Sequence, residues 1–216
     1  MKSGFGRSAK GNTKLVIVDL YGIISLGSFW DITHWLAKKF KRKPHGIYDV
    51  LYHKYFNAAA LGKIGERELF TKALDDLDID ADWRAVRDKH LTYQVPNKPA
   101  IELCKRLQKD GYTVLLLSKN IPSHMRHTIR AFGLQKYFKH ITNTYDLSLP
   151  KASKRTMLWA LKRFRVKPSE VVFCDDQDFN LVEAKKMGIR TVLYKNVRQF
   201  KTDLRKALAT RYPYIK

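Results

Sequence analysis

The 216-residue sequence has few cysteines, few acidic residues and no long hydrophobic run. Its two cysteines, Cys104 and Cys174, lie far apart in apolar-periodic segments, which argues against a disulfide-rich scaffold and is typical of a reducing compartment. No apolar stretch approaches the roughly 18 residues of a membrane helix, and the opening residues lack the hydrophobic region of a secretory signal. We therefore expect a soluble, cytoplasmic protein without a membrane partner.

Acidic residues are scarce enough to leave a formal charge of +22, and the excess of basic residues is unevenly distributed along the chain. Residues 98–165 carry 15 basic and 3 acidic side chains and residues 185–216 carry 10 and 1, whereas residues 20–97 carry 12 and 10. Such a field attracts nucleic acid or anionic metabolites, although a generally basic host proteome would produce the same composition. Nucleic acid is therefore a candidate partner for the basic surface.

The apolar pattern changes twice along the chain. The run Leu15–Val18 predicts a buried strand that ends at Asp19 and opens into a turn at Gly22. From Ser28 to about Val95 apolar residues recur at helical spacing without a similar strand. From Pro96 onward strands and helices alternate, which is typical of βαβ units on a parallel sheet.

These patterns predict an α/β fold with a Rossmann-like parallel sheet core and an inserted all-helical segment. We divide the chain into a basic N-terminal tail (1–13), a core (14–24 and 96–216) and the helical insertion (25–95). Hydrophobic residues make up 44% of the chain, which is enough to bury a core of this size.

Polar residues follow three of the predicted strands. Asp19, Ser118, and the pair Asp175 and Asp176 stand at these strand ends. Because ligands of open parallel sheets bind at the carboxyl ends of the strands, these residues are expected to converge in one crevice. Two adjacent carboxylates repel each other unless a cation or hydrogen-bond donors compensate, so the pair indicates a functional site.

Four short motifs occur in order along the chain. They are Asp19-Leu20-Tyr21-Gly22-Ile23-Ile24, Ser118 after Val114-Leu115-Leu116-Leu117, Leu149-Pro150-Lys151, and Phe173-Cys174-Asp175-Asp176. The set resembles the motifs of the haloacid dehalogenase (HAD) superfamily, and Gly62-Lys63-Ile64 with Glu68-Leu69-Phe70 resembles the helical, C1-type cap of its first subfamily. The resemblance covers about residues 15–195 and implies that the helical insertion is such a cap.

The resemblance implies a magnesium-dependent phosphatase acting on a small phosphorylated metabolite. Asp19 would be the nucleophile and a magnesium ligand. Asp175 and Asp176 would hold the metal directly or through water, and the backbone carbonyl of Tyr21 would complete the protein's ligands. A hard cation that keeps several waters suits such a carboxylate site, and it neutralises the charge that otherwise opposes phosphoryl transfer.

The resemblance also implies the residues that bind phosphate. Ser118 would donate to a phosphoryl oxygen, Asn120 would contribute to the same pocket, and Lys151 would pair with both the phosphate and the nucleophile. The family often has serine and asparagine adjacent, but here Lys119 separates Ser118 from Asn120. The shape of the phosphate pocket therefore stays open.

The first motif departs from the phosphatases at Tyr21, where they usually carry a second aspartate that protonates the leaving group. A phenol with a reference pKa of about 10 is poorly matched to that task, and loss of a general acid or base lowers the rate by roughly 10²- to 10⁴-fold. Asp-x-Tyr-Gly occurs in 2-haloacid dehalogenases, which lack the paired aspartates and need no metal.

Three interpretations remain. The first is a phosphatase of reduced efficiency. The second is a catalytically weak or inactive HAD-like protein that binds nucleic acid through its basic surface, and the third is a dehalogenase-like enzyme. Among the aromatic residues, Trp30 and Trp35 are interpreted as core residues of the cap rather than as a stacking platform for bases.

Overall fold

In a computed structural model of the protein, which describes residues 12–209, a five-stranded parallel sheet lies between helices. The strands are β1 (Leu15–Asp19), β2 (Ser25–Leu26), β3 (Val95–Pro96), β4 (Thr113–Ser118), β5 (His140–Asn143), β6 (Val171–Asp175) and β7 (Arg190–Leu193). The central sheet has the order β5-β4-β1-β6-β7, and β2 pairs with β3 in a separate antiparallel ribbon. The predicted α/β fold with a parallel core is confirmed.

Most of the remaining described chain is helical. The helices are α1 (Phe29–Phe40), α2 (Pro44–Tyr48), a π-helix (Asp49–Phe56), α3 (Asn57–Ala60), α4 (Glu66–Asp76), α5 (Trp83–Thr92), α6 (Lys98–Lys109), α7 (Pro122–Ala131), α8 (Lys154–Phe164), α9 (Asp178–Lys186) and α10 (Val197–Ala209). Within residues 12–209 no helix combines the length and the apolar character needed to cross a bilayer. Residues 1–11 of the predicted basic tail lie outside the described part of the chain.

The central strand β1 is buried on both faces of the sheet. Val16 and Val18 pack into a cluster with α6, α7 and α10, whereas Leu15 and Ile17 pack into a second cluster with α8 and α9. A parallel strand covered on both sides is apolar throughout, which explains the unbroken hydrophobic run in the sequence. Each such side chain contributes roughly 1.5–3 kcal/mol on burial, so the sheet is a rigid base for the residues at its carboxyl edge.

The inserted helices α1 to α5 form a layer with its own hydrophobic cluster, which we call the helical layer. Its buried members include Ile32, Leu36, Leu69 and Phe70. The layer leaves the sheet after β2 and returns at β3, whose pairing holds the two connecting segments side by side. Sequence periodicity did not distinguish the π-helix from an α-helix.

Polar contacts attach the helical layer to α7 of the core. Ser123 Oγ donates a hydrogen bond of 2.7 Å to Glu66 Oε1, and His124 Nε2 lies 3.2 Å from the same oxygen. Burial alone would raise the pKa of Glu66, but the contacts with His124 and Ser123 outweigh it and lower the pKa to about 2. An ionised Glu66 thus helps to fix the layer over the carboxyl edge of the sheet.

Candidate active site

Three adjacent strands bring the predicted site residues together. Asp19 ends β1, Ser118 ends the neighbouring β4, and Asp175 ends β6 on the other side. All three side chains are buried. Because the strands are parallel, their carboxyl ends meet at one edge of the sheet, where the sequence placed the crevice.

Lys151 reaches this edge from the loop between β5 and α8. Its Nζ lies 2.5 Å from Asp19 Oδ2 and 2.9 Å from Asp175 Oδ2, and its side chain is only 6% exposed. Burial alone would lower the pKa of Lys151, but the two carboxylates outweigh it and raise the pKa above its ordinary value. Lys151 is therefore a fixed positive charge between two strand ends, which its position in a basic chain did not by itself reveal.

A cluster of carboxylates beside Lys151 is suited to a divalent cation. One oxygen from each of Asp19, Asp175 and Asp176 lies within 4.8 Å of the others, and no other group of this kind occurs in residues 12–209. Burial and the charge of Asp175 raise the pKa of Asp176 to about 6. Burial and the two neighbouring carboxylates also raise the pKa of Asp19 above its ordinary value, although Lys151 opposes them. Lys151 therefore compensates the crowded carboxylates only in part, and their oxygens fit Mg²⁺.

The orientation of Asp175 depends on hydrogen bonds from residues that follow it in the chain. Its Oδ1 accepts hydrogen bonds from the Gln177 backbone (3.0 Å) and from Asn180 Nδ2 (2.9 Å), while Oδ2 faces Lys151. Asn180 lies in the first turn of α9, where a polar side chain can reach back to the preceding loop. Asp178 and Phe179 before it are exposed, whereas Asn180 is buried, so the fold of the loop after β6 decides its role.

Gly22 allows the first motif to approach Asp176 closely. Its φ is +93°, and a methyl group at this position would lie 2.3 Å from Asp176 Cγ. Only glycine satisfies both the left-handed backbone and the close contact. The glycine of the first motif thus sets the distance between the loop after β1 and the carboxylate cluster.

Substitution of Gly22 by alanine is expected to displace Asp176 and to destabilise the fold by about 1–3 kcal/mol through backbone strain. Affinity for Mg²⁺ should fall with it, which can be measured by calorimetry alongside thermal unfolding. Gly46→Ala is the matched control, because a methyl group there meets nothing within 4 Å. If Gly22→Ala retained wild-type stability and Mg²⁺ affinity, the carboxylate cluster would not depend on this contact.

Ser118, at the end of β4, and Asn120, in the loop after it, differ in whether their side chains already form hydrogen bonds. Ser118 Oγ is buried and has no hydrogen-bond partner within residues 12–209, so it can donate to a ligand. Asn120 Oδ1 instead accepts from the Ile121 backbone at 2.8 Å, and the Asn143 amide bonds to the Asn120 backbone in both directions. Asn120 lines the cavity, but its carbonyl oxygen serves to shape the loop.

Tyr21 also lines the cavity, with its hydroxyl directed to α7. The hydroxyl lies 2.8 Å from Thr128 Oγ1, and burial raises the pKa of Tyr21 further above its ordinary value. A phenol held in this way is neutral at physiological pH and a poor proton donor to a leaving group. The structure therefore agrees with the absence of a general acid at this position.

A cavity of about 230 Å³ separates the carboxylate cluster from the helical layer. Aromatic side chains from α1, α2 and the π-helix line its far wall: Phe29, Trp30, Tyr48, Tyr52 and Phe56. Trp30 stacks on Tyr48 with ring centroids 4.0 Å apart. The interpretation of Trp30 as a core residue is therefore wrong, because its side chain lines the cavity. Trp35 is partly buried and packs against the core of the helical layer.

Sequence comparison links the chain to a hydrolase family. Residues 13–188 match the family model of haloacid dehalogenase-like hydrolases. Curated relatives include bifunctional epoxide hydrolase 2 of Rattus norvegicus, 26% identical over 54% of this chain and 22% of that protein. Glyceraldehyde 3-phosphate phosphatase of Pyrococcus furiosus is 26% identical over 60% of this chain and 56% of that protein. (S)-2-haloacid dehalogenase 4A of Burkholderia cepacia is 29% identical over 43% of this chain and 40% of that protein. The chain thus spans less than two thirds of each of these relatives.

Solved structures share the fold at low sequence identity. A predicted HAD-like hydrolase from Porphyromonas gingivalis superposes with a TM-score of 0.74 at 19% identity, covering 93% of this chain and all of that one. A HAD family enzyme from Bacteroides thetaiotaomicron, solved as a mutant with magnesium and inorganic phosphate, superposes with a TM-score of 0.68 at 19% identity. The superposition covers 85% of this chain and 94% of that one. These similarities extend the match to the helical layer as well as the sheet.

Proposed function

Because the chain belongs to the haloacid dehalogenase-like hydrolases, we propose that it is a magnesium-dependent phosphatase acting on a small phosphorylated metabolite. The observation that carries this proposal is the cluster of Asp19, Asp175 and Asp176 around Lys151 at the floor of the cavity. Such metabolites belong to the cytoplasm, where we place the protein.

The charge of the site explains why a metal is needed. Three carboxylates against one ammonium would repel a phosphate dianion approaching Asp19. When bound, Mg²⁺ would offset this charge and polarise the phosphoryl group. Asp19, Asp175 and Asp176 would hold it, with the Tyr21 carbonyl as a further ligand.

Each remaining residue has a role in the proposed reaction. An oxygen of Asp19 forms a bond to phosphorus as the ester P–O bond breaks, and the leaving group departs with the bonding electron pair. Water then hydrolyses the resulting acyl phosphate and releases inorganic phosphate and free Asp19. Lys151 orients Asp19, and the free hydroxyl of Ser118 donates to a phosphoryl oxygen.

The environment of Tyr21 limits this reaction. With its hydroxyl bonded to Thr128, no side chain at this position supplies the proton that an alkoxide leaving group requires. Solvent must supply it, so we propose turnover that is weak for alkyl esters and more efficient for esters whose leaving group departs as a stable anion.

A dehalogenase activity is less well supported. The Burkholderia relative is a haloacid dehalogenase, but a 2-haloacid brings its own carboxylate. The carboxylate of a 2-haloacid is attached to the reacting carbon, so it would lie at the floor of the cavity beside Asp19, Asp175 and Asp176. There Lys151 is already paired with two of these carboxylates. A phosphoryl group held with a divalent cation is better matched to the same charges.

Removal of the metal tests the proposal. We expect the protein to release phosphate from p-nitrophenyl phosphate in the presence of Mg²⁺, to lose that activity on treatment with EDTA, and to regain it when Mg²⁺ is restored in excess. Phosphate release is measured directly by a colorimetric assay.

A parallel assay with 2-chloropropionate distinguishes the dehalogenase. Chloride release that persists in EDTA would contradict the phosphatase proposal and favour the dehalogenase. Absence of both activities, in protein whose circular dichroism shows an intact fold, would instead leave a non-catalytic binding protein.

A second candidate function, binding of nucleic acid, is favoured by one observation. Arg126, Arg130, Lys136 and Lys139 are exposed, and within residues 12–209 none of them forms an ion pair. Unpaired surface charges of this kind can neutralise phosphates without reading base sequence.

If this surface binds duplex DNA, the logarithm of affinity should fall linearly with the logarithm of salt concentration, with a slope of about −0.9 per neutralised phosphate. Reversing the charge of Arg126 and Arg130 to glutamate should weaken binding, whereas Asp19→Asn should not. Fluorescence anisotropy at two salt concentrations measures this. A dissociation constant weaker than about 10⁻⁴ M at physiological salt would exclude nucleic-acid binding as the role of this surface, and its charge would then affect only solubility.

A further inference from the structure

Lys119 places a second positive charge in the wall of the cavity. It directly follows Ser118 and is half-buried. Its Nζ donates a hydrogen bond of 2.9 Å to Asn57 Oδ1 and lies 5.3 Å from the ring centroid of Tyr52 and 5.7 Å from that of Phe56. The ammonium is therefore held against the helical layer, whereas Lys151 is held against the sheet.

The two lysines differ in their partners. Lys151 pairs with Asp19 and Asp175, but Lys119 forms no ion pair with any carboxylate in the described part of the chain. Burial, reinforced by the charge of Lys151, lowers the pKa of Lys119 to about 8. The charges of Asp19 and Asp175 offset this effect only in part, because neither carboxylate lies within ion-pair distance of the ammonium. An anionic ligand beside Lys119 would remove the remaining cost of its partial burial.

The surroundings of Lys119 would strengthen such an interaction. Tyr48 stacks on Tyr52 and Tyr52 on Phe56, with centroids 5.0 and 5.3 Å apart, and this stack continues to Trp30. Aromatic walls exclude water and lower the local dielectric, so a charge pair formed here is stronger than one at the surface. The π-helix that carries Tyr52 and Phe56 is a rare element that often marks functional sites.

We propose that Lys119 is a specificity-determining residue that binds a second anionic group on the leaving group of the substrate. The preferred substrates would be phosphate monoesters of acidic alcohols or phenols, with the phosphoryl group at Asp19 and the acid at Lys119. This inference rests on the proposed phosphatase function. We assign Lys119 to the leaving group because its ammonium is hydrogen-bonded to Asn57 in the helical layer. Ser118 and Lys151, which would bind the phosphoryl group, lie instead at the edge of the sheet.

Two substrates that differ only by a carboxylate test the proposal. For each enzyme, kcat/KM is measured with 4-carboxyphenyl phosphate and with phenyl phosphate, and the ratio of the two values is compared between enzymes. The intrinsic reactivities of the two esters cancel when this ratio is compared between enzymes. We expect Lys119→Met to lower the ratio by about 10- to 100-fold, because it removes a charge-assisted hydrogen bond to the carboxylate. Lys119→Arg should restore most of it.

Lys63→Met is the matched control, since Lys63 is exposed on the helical layer and should leave the ratio at the wild-type value. An equal loss for both substrates in Lys119→Met would place Lys119 at the phosphoryl group or in the fold, and would overturn the proposal. A ratio unchanged in Lys119→Met would overturn it as well.

Binding provides a readout that does not depend on turnover. We expect 4-carboxybenzylphosphonate to bind the magnesium-loaded protein at least about tenfold more tightly than benzylphosphonate, and Lys119→Met to remove this difference. If neither ester is hydrolysed but the difference is present, the phosphatase proposal fails and the anion site stands. If the two phosphonates bind equally, or neither binds, the anion site is refuted whatever the activity.

Discussion

Asp19→Asn is expected to abolish phosphatase activity toward both aryl and alkyl phosphates, with a loss of roughly 10⁴- to 10⁶-fold, the range seen when a covalent nucleophile is removed. The amide keeps the shape of the side chain but cannot form the acyl phosphate. The variant should fold normally, because removal of one of three clustered carboxylates relieves repulsion and leaves Lys151 paired with Asp175. Steady-state kinetics and thermal unfolding of the same preparation measure both effects.

The control for this substitution is Asp178→Asn. Asp178 is exposed in the first turn of α9, where it pairs with Lys185 at 3.1 Å, and its loss should change kcat/KM little. Magnesium-dependent activity that survived in Asp19→Asn would show that Asp19 is not the nucleophile. A loss of equal size in Asp178→Asn would indicate a general effect of charge near the site rather than a chemical role for Asp19.

Tyr21→Asp is expected to raise turnover of alkyl phosphates by roughly 10²- to 10⁴-fold, the contribution of a general acid or base. The gain should be small for p-nitrophenyl phosphate, because that leaving group departs without a proton. The substitution removes the hydrogen bond to Thr128 and part of the packing against the core, so stability should fall while activity rises. Comparing kcat/KM for the two ester classes isolates the effect on the leaving group.

Tyr21→Phe separates the new acid from the lost hydroxyl. It deletes the contact with Thr128 without adding a carboxylate, so no gain with alkyl phosphates is expected. An unchanged rate in Tyr21→Asp, with a native circular dichroism spectrum, would mean that the rest of the site is not arranged for phosphoryl transfer. A similar gain in Tyr21→Phe would mean that the tyrosine obstructs substrates rather than replacing an acid.

Local pattern was sufficient to locate most of the carboxylate cluster. Asp19 and Asp175 end apolar strands, and a parallel sheet brings such strand ends to one edge without further information. Lys151 was found only through the resemblance, because a loop lysine in a basic chain has no distinguishing pattern. Its contacts at 2.5 and 2.9 Å depend on how the loop after β5 folds back over β1 and β6.

The far wall of the cavity was not predicted from the sequence. Tyr48, Tyr52 and Phe56 recur at a spacing of four residues, a pattern that indicates one face of a helix but not what that face meets. Trp30 was placed in the core for the same reason, since an aromatic residue on an amphipathic helix is more often buried than exposed to a cavity. Lys119 was recognised only as an interruption between Ser118 and Asn120.

The sequence by itself determined the parallel core, the helical insertion and the strand-end carboxylates, because these depend on local periodicity and on rules that hold for every parallel sheet. The missing general acid at Tyr21 follows from the family resemblance of the first motif. Only the tertiary structure decided that Lys151 bridges Asp19 and Asp175, that Gly22 contacts Asp176, and that Lys119 faces an aromatic wall. The physical reason is that the position of the helical layer over the sheet results from many weak contacts between distant segments. No single stretch of sequence encodes such contacts.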